Sequence, residues 1–117
     1  MPDVRLPLKP LVFQVLLVLL EQERHGYSIV REIEAQAARG QRIEAGSLYR
    51  TLRTMLRDGL IRESDHRPDP AHDDQRRRYF AVTELGRAVA VGEARRLEEL
   101  LGRAKGLRLL EGRGVTS

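Results

Sequence analysis

The segment 46–61 places apolar and basic residues at the spacing of an amphipathic helix. At about 100° per residue, one arc of this helix is apolar and is formed by Leu48, Leu52, Met55 and Leu56. The opposite arc is polar and basic and is formed by Arg50, Arg53, Thr54 and Arg57, with Tyr49 at its edge. Ser47 is a predicted N-cap, and Gly59 predicts the end of the helix.

The outer arc of this helix has the chemistry of a nucleic-acid contact. Guanidinium groups suit phosphates and guanine edges, and a threonine can contact either. Arg50 and Arg53 project nearest the helix start, where contacts in the groove concentrate, and Arg57 is expected to reach phosphate. The first interpretation is therefore a DNA-recognition helix, whose candidate DNA contacts are Ser47, Tyr49, Arg50, Arg53, Thr54 and Arg57. A solvated basic face on an ordinary helix is the alternative.

Three further helices and two short strands are predicted around this segment. The helices cover about 8–22, about 27–38 and a stretch from the predicted N-cap Thr83 to 103 or beyond. Strand-like runs at 60–64 and 78–82 enclose a polar loop, 65–77. The order is that of a winged helix-turn-helix domain, mostly α with a small β-hairpin. In such a domain the third helix enters the major groove and the hairpin touches the flanking backbone or minor groove.

The first and last helices carry more apolar surface than a small domain easily covers. Gln14 alone interrupts the apolar run from Leu11 to Leu20, and a helix without a polar face must be covered on every side. The last helix has an aliphatic stripe at alternating steps of four and three. We therefore expect a homodimer whose interface is formed by Leu11, Val15, Leu19, Val89, Ala90, Ala94, Leu97, Leu101 and Ala104.

Length and composition fit a single compact unit. A chain of 117 residues is long enough for one domain. Within it, the predicted elements give a DNA-binding domain over 8–82, a dimerisation helix over 83–110 and a disordered tail over 111–117. A net charge of +4 and a pI near 10.1 favour a polyanionic partner. Five aromatic residues and no tryptophan disfavour a stacking platform for single strands. Double-stranded DNA is the expected partner.

The absence of cysteine excludes disulfides, thiolate-zinc sites and a cysteine nucleophile. The apolar run from Leu11 to Leu20 is too short to span a bilayer, and no small-residue cleavage site follows it. We expect a cytoplasmic protein with no membrane partner.

Arg76, Arg77 and Arg78 lead into the second strand of the hairpin. Neighbours in a strand point to opposite faces, so at most two of them reach one surface. DNA contact by at least one is expected, and the alternative is a charged edge that discourages strand pairing. The loop 65–77 contains three arginines and four aspartates, so it is not itself cationic. Contact between its tip and DNA stays open.

No catalytic or metal site is predicted. His66 and His72 could hold a metal together with the nearby aspartates, but two prolines keep the loop open and nothing fixes the geometry. His25 is expected to be a turn or capping residue. The sequence shows no glycine-rich phosphate loop and no Ser/His/Asp arrangement, so neither an enzyme nor a cofactor is expected.

Six short segments, in this order along the chain, resemble the PadR family of transcriptional regulators. They are His25-Gly26-Tyr27, Ile33-Glu34, the segment 46–52 (Gly-Ser-Leu-Tyr-Arg-Thr-Leu), the segment 58–61 (Asp-Gly-Leu-Ile), the segment 76–80 (Arg-Arg-Arg-Tyr-Phe) and the segment 83–86 (Thr-Glu-Leu-Gly). The most specific of them is the segment 46–50 (Gly-Ser-Leu-Tyr-Arg), which follows the His-Gly-Tyr segment in the chain. The resemblance covers roughly residues 8–100. The single helix after the hairpin is similar to the compact branch of the family, and the longer, more acidic hairpin loop departs from it.

The resemblance implies a homodimeric DNA-binding regulator, usually a repressor, that leaves its operator on some signal. It also implies that the first and C-terminal helices form the dimer. A small-molecule effector is compatible with this reading, but the sequence does not identify one. Two other hypotheses remain: an architectural DNA-binding protein without sequence preference, and a winged-helix module that binds protein.

Overall fold

The part of the chain that the computed structural model describes, residues 5–37, 40, 42–65 and 78–111, contains four helices and three short strands. Along the chain they are α1 (Pro10–Glu21), β1 (Arg24–His25), α2 (Gly26–Gln36), α3 (Ala45–Arg57), β2 (Ile61–Ser64), β3 (Tyr79–Val82) and α4 (Glu84–Gly106). The predicted fold class, a mostly helical winged helix-turn-helix followed by a long helix, is confirmed. The predicted tail 111–117 lies outside the described residues except for Glu111.

Side chains at the helix ends explain where the helices begin and stop. His25 caps α2 by accepting a hydrogen bond at Nδ1 from the Ser28 N–H, which confirms it as a capping residue. Thr83 caps α4 by accepting a hydrogen bond from the Gly86 N–H, as predicted. Gly59 follows α3 with φ of +77°, a conformation that glycine adopts without strain.

The predicted N-cap of α3 is wrong. The helix begins two residues before Ser47, and its N-cap is Glu44, whose carbonyl accepts from the Leu48 N–H at 3.1 Å. Ala45 and Gly46 therefore already belong to the first turn. The Ser47 hydroxyl, placed inside that turn, accepts a hydrogen bond from the Arg50 guanidinium instead.

The sheet contains one strand that the sequence pattern did not predict. β3 lies in the centre, with β2 antiparallel on one side and β1 antiparallel on the other. β1 consists only of Arg24 and His25, which pair with Phe80 and Tyr79. Two residues are too few for an alternation of polar and apolar positions to appear in the sequence.

The core corrects part of the predicted dimer interface. α1 packs against α2, α3, α4 and β3, so neighbouring elements of the same chain cover most of its surface. Val15 is fully buried, and Leu19 and Ala90 are 4% and 5% exposed. These three residues belong to the core of one chain and leave almost no surface for a second subunit. Leu11 and Val89 pack at the edge of the same core and are half-buried.

Two contacts fix α4 against the rest of the domain. The Thr83 hydroxyl donates to the Gly59 carbonyl, and the Thr83 N–H donates to the Leu60 carbonyl at 3.1 Å. The turn after α3 is thereby joined to the start of α4. The end of α3 and the hairpin are thereby both connected to the start of α4.

Candidate nucleic-acid interface

The outer face of α3 is the most basic continuous surface that the sequence predicted, and the structure brings its residues together. Leu48, Leu52 and Met55 are buried beneath the helix. Their opposite face is exposed and carries Tyr49, Arg50, Arg53, Thr54 and Arg57, while Ser47 is half-buried at its start. The burial of one face fixes which side chains are offered to a partner.

The three guanidinium groups of this face remain accessible. Arg50 Nη2 lies 3.3 Å from Ser47 Oγ and 3.7 Å from Glu44 Oε1, in a pair whose side chains are both largely exposed. Arg57 Nε donates to Asp58 Oδ1 at 3.2 Å. Exposed ion pairs of this kind contribute at most about 1 kcal/mol, so an incoming phosphate can replace them.

Arg53 differs from its two neighbours. It is exposed, and no hydrogen bond or ion pair joins its side chain to any described residue. Its guanidinium therefore keeps all five of its N–H donors for a ligand.

The Tyr49 ring connects α3 to the start of α2. A Cβ added to Gly26 would lie 2.9 Å from both Cε1 and the hydroxyl oxygen of Tyr49, so only glycine leaves room for the ring in this position. The His-Gly-Tyr and Gly-Ser-Leu-Tyr-Arg segments, about twenty residues apart in the chain, thus meet in space. Tyr49 is 45% exposed as a residue, and its ring edge and hydroxyl lie against Gly26 at the start of α2.

A carboxylate that sequence reasoning missed holds the turn between α2 and α3. Glu34 Oε2 accepts a hydrogen bond from the Ile43 N–H at 2.7 Å. This contact ties the last turn of α2 to the segment that leads into α3. In the sequence, the only sign of this contact was the Ile33-Glu34 segment of the family resemblance. A hydrogen bond between a side chain and a backbone N–H nine residues away produces no periodic pattern.

Of the three hairpin arginines singled out in the sequence, only Arg78 lies among the described residues. Arg78 is exposed next to β3, and its Nη1 lies 3.1 Å from Glu63 Oε1 on the neighbouring strand β2. Arg76 and Arg77 lie outside the described residues, as do His66 and His72. Among the described residues no group of three metal-ligating side chains occurs.

The outer surface of α2 carries an aromatic and cationic pair that the sequence analysis did not single out. Tyr27 is 62% exposed, and the guanidinium carbon of Arg31 lies 5.6 Å from the centroid of its ring. The His25 ring lies parallel to Tyr27 at a centroid distance of 6.4 Å. Because Ile29 and Ile33 are buried on the other side of α2, the helical period could have indicated these exposed positions.

Away from this face, the second half of α4 exposes an apolar surface. Leu97, Leu100 and Leu101 are 38–45% exposed, and Leu107, Leu109 and Leu110 after the helix are more exposed still. Ala94 is exposed and Ala104 half-buried on the same part of the helix.

No helix among the described residues is long and apolar enough to cross a membrane.

Comparison with known proteins agrees with this geometry. Residues 15–91 match the model of the transcriptional regulator PadR-like family. A curated relative, transcriptional regulator Rv3488 of Mycobacterium tuberculosis, is 35% identical over 80 residues, which are 68% of each chain. The chain is a member of the PadR-like family of transcriptional regulators.

Solved structures support the same fold for this PadR-like regulator. A PadR family transcription regulator from Clostridium difficile superimposes with a TM-score of 0.69 at 16% identity, covering 85% of this chain and 98% of that one. The Lactococcus lactis ZitR C30AH42A mutant gives a TM-score of 0.67 at 20% identity, covering 96% of this chain. The present chain spans 66% of that ZitR chain. At these identities the likeness concerns the fold alone.

Proposed function

We propose that this PadR-like regulator binds double-stranded DNA as a homodimer through the outer face of α3. The carrying observation is the division of α3 into a buried apolar face and an exposed face with three arginines. A helix of this kind, mounted on a helix-turn-helix and flanked by a hairpin, suits the major groove. Arg50, in the first two turns, is the proposed base reader.

The proposed dimer rests on the exposed leucines of α4. A helix of 23 residues is about 34 Å long, and its second half carries Leu97, Leu100 and Leu101, which the described part of the chain leaves 38–45% exposed. Pairing with a second copy would remove this surface from water. Ala94 and Ala104 belong to the same proposed interface, with Leu11 and Val89 at its edge.

We propose that the protein represses transcription and that a small-molecule effector releases it from its operator. Both rest on membership of the PadR-like family and on the resemblance of the motifs. A run-off transcription assay tests the direction, on a promoter that contains a binding site selected by the protein from random duplexes: added protein should reduce the amount of transcript. An increase would instead make the protein an activator.

The spacing of the operator tests the proposed binding mode. A two-fold dimer presents the same residues in opposite directions, so the site should be an inverted repeat. Half-sites on one face of the duplex should have centres roughly 10 base pairs apart. Selection from a random duplex pool with the full-length protein should return such a repeat, and footprinting should show protection of both halves.

Insertion of base pairs between the half-sites supplies the control. Adding about five base pairs turns one half-site to the opposite face and should abolish tight binding, and a full added turn should also weaken it. Equal affinity for all three spacings would overturn the proposal in favour of an architectural protein that ignores sequence. Failure to bind any duplex would favour the protein-interaction module.

A further inference from the structure

A cleft separates α3 from the hairpin strand β3. Its volume is about 240 Å³, and its lining residues are Gly26, Tyr49, Leu52, Arg53, Leu56, Arg78 and Phe80. Leu52 and Phe80 are 2% and 6% exposed and form an apolar floor. Arg53 and Arg78 are exposed, so their guanidinium groups belong to the rim. The cleft therefore has an apolar floor and a cationic rim.

The electrostatics of the cleft favour a single anion. Two of its lining residues are arginines, and no carboxylate side chain lines it among the described residues. The first turn of α2 also begins there, at Gly26, and a helix N-terminus carries a partial positive charge. The Tyr49 hydroxyl lies against Gly26 and adds a further hydrogen-bond donor.

Arg53 points toward the hairpin rather than straight out from the domain. Counted from Leu48 at about 100° per residue, Arg57 lies at about 180° and Arg50 at about 200°, directly opposite the core. Arg53 lies at about 140°, closer to Tyr49 at about 100°. This azimuth is why Arg53 shares the cleft with Arg78, whereas Arg50 and Arg57 do not line it.

We propose that the cleft between α3 and β3 holds one phosphodiester of the DNA backbone, clamped between Arg53 and Arg78. The inference rests on the proposed DNA-binding function and deepens it: Arg53 positions the DNA backbone, whereas Arg50 remains the proposed base reader. With α3 in the major groove, a backbone strand has to pass between the recognition helix and the hairpin. The apolar floor accommodates the deoxyribose, and the guanidinium forks donate to the phosphate oxygens.

Glu63 sets the strength of this clamp. Its Oε1 pairs with Arg78 Nη1 at 3.1 Å, and both side chains are more than half exposed. A carboxylate at this distance competes with phosphate for the same guanidinium. Glu63→Gln should therefore tighten binding by about two- to fivefold, and this gain should disappear when Arg78 is also alanine.

The test neutralises single phosphates in the duplex selected by the full-length protein. Methylphosphonate is placed at each backbone position of a half-site in turn, and dissociation constants are measured for the parent, Arg53→Ala and Arg50→Ala. At one position the methylphosphonate should weaken binding of the parent by about tenfold and binding of Arg53→Ala by clearly less, because one of the two guanidinium groups that pair with that phosphate is already gone. Arg50→Ala should keep the full sensitivity at that position.

Two further measurements complete the test. Arg53→Ala should flatten the dependence of log K on log salt by about one unit and leave the selected sequence unchanged. The proposal is overturned if Arg53→Ala remains as sensitive as the parent at every phosphate, or if a fresh selection with it loses preference at one base pair. If the unsubstituted protein bound no duplex at all, the proposed DNA-binding function would be wrong, and the phosphate clamp would be wrong with it.

Discussion

At the scale of single residues, the backbone of a neighbouring element lies so close to Gly86 that no larger residue fits there. A Cβ added to Gly86 would lie 2.1 Å from the Leu60 carbonyl oxygen, at the junction of β2 and α4. That oxygen is backbone and already accepts the Thr83 N–H, so it cannot move aside without breaking the junction. The glycine of the Thr-Glu-Leu-Gly segment is thus a packing requirement, not a turn.

Gly86→Ala should destabilise the fold by at least about 1–3 kcal/mol, because overpacking forces a shift of the backbone. Gly102→Ala in the same helix is the matched control, since nothing lies within 4 Å of its added Cβ. The control should be neutral or more stable by up to about 1 kcal/mol through helix propensity. Urea unfolding followed by circular dichroism measures both, and equal stability of the two variants would contradict the packing argument.

At the scale of elements, the N-terminal segment is held against α4 by a buried carboxylate. Glu93 is 2% exposed; its Oε2 accepts from the Leu8 N–H at 3.2 Å, and Arg96 donates to both of its oxygens at 2.7 and 2.9 Å. The hydrogen bond from Arg96 is the main reason why the pKa of Glu93 lies below its ordinary value, against the opposing effect of burial. The same pair raises the pKa of Arg96.

This pair predicts a specific dependence of stability on pH. A carboxyl group whose pKa is lowered in the folded state stabilises it above the ordinary value of 4.5, and this contribution is lost as the pH falls through the lower pKa. Glu93→Gln should therefore lower the melting temperature at neutral pH. The difference from the parent should shrink as the pH is reduced below 4.5.

Thermal melting at a series of pH values measures this difference. Glu99→Gln, an exposed position on the same helix, serves as the control and should follow the parent throughout. A gap between the parent and Glu93→Gln that stays constant from neutral to acid pH would show that the charge of Glu93 plays no part.

At the scale of the whole molecule, the two halves of α4 have different roles. The first half carries Ala90 and Glu93, both buried within the chain, and completes the core. The second half leaves its leucines 38–45% exposed among the described residues. The helix thus joins a domain that is packed internally to a surface that a second copy is proposed to cover.

Replacing both Leu97 and Leu101 by glutamate should convert the proposed dimer into a monomer, because it places charge in the apolar stripe of α4. Sedimentation velocity measures the mass, and far-UV circular dichroism shows whether the domain is still folded. Glu99→Lys is the control for a change of charge on this helix without loss of apolar surface. If the glutamate variant does not fold, Leu97→Ala with Leu101→Ala replaces it. A dimer that survives both pairs of substitutions would place the interface elsewhere.

The sequence alone determined the order of the four helices and of β2 and β3, and the two faces of α3. Those features are local: the helical period separates Leu48 and Leu52 from Arg50 and Arg57, and Thr83 and His25 cap helices through bonds to residues three positions away. Such short-range contacts leave a mark in spacing and residue type. The prediction that Ser47 caps α3 failed at the same scale, since the start of a helix also depends on how the preceding turn is held.

The tertiary structure alone decided what covers each apolar face and which distant groups meet. Val15 and Leu19 had the pattern of an interface, but elements from the whole length of the chain bury them. The cleft that joins Arg53 to Arg78, the bond from Ile43 to Glu34 and the contact of Leu8 with Glu93 unite residues between nine and eighty-five positions apart. No periodicity records such pairs, because they depend on the packing of whole elements and not on the spacing of residues within one of them.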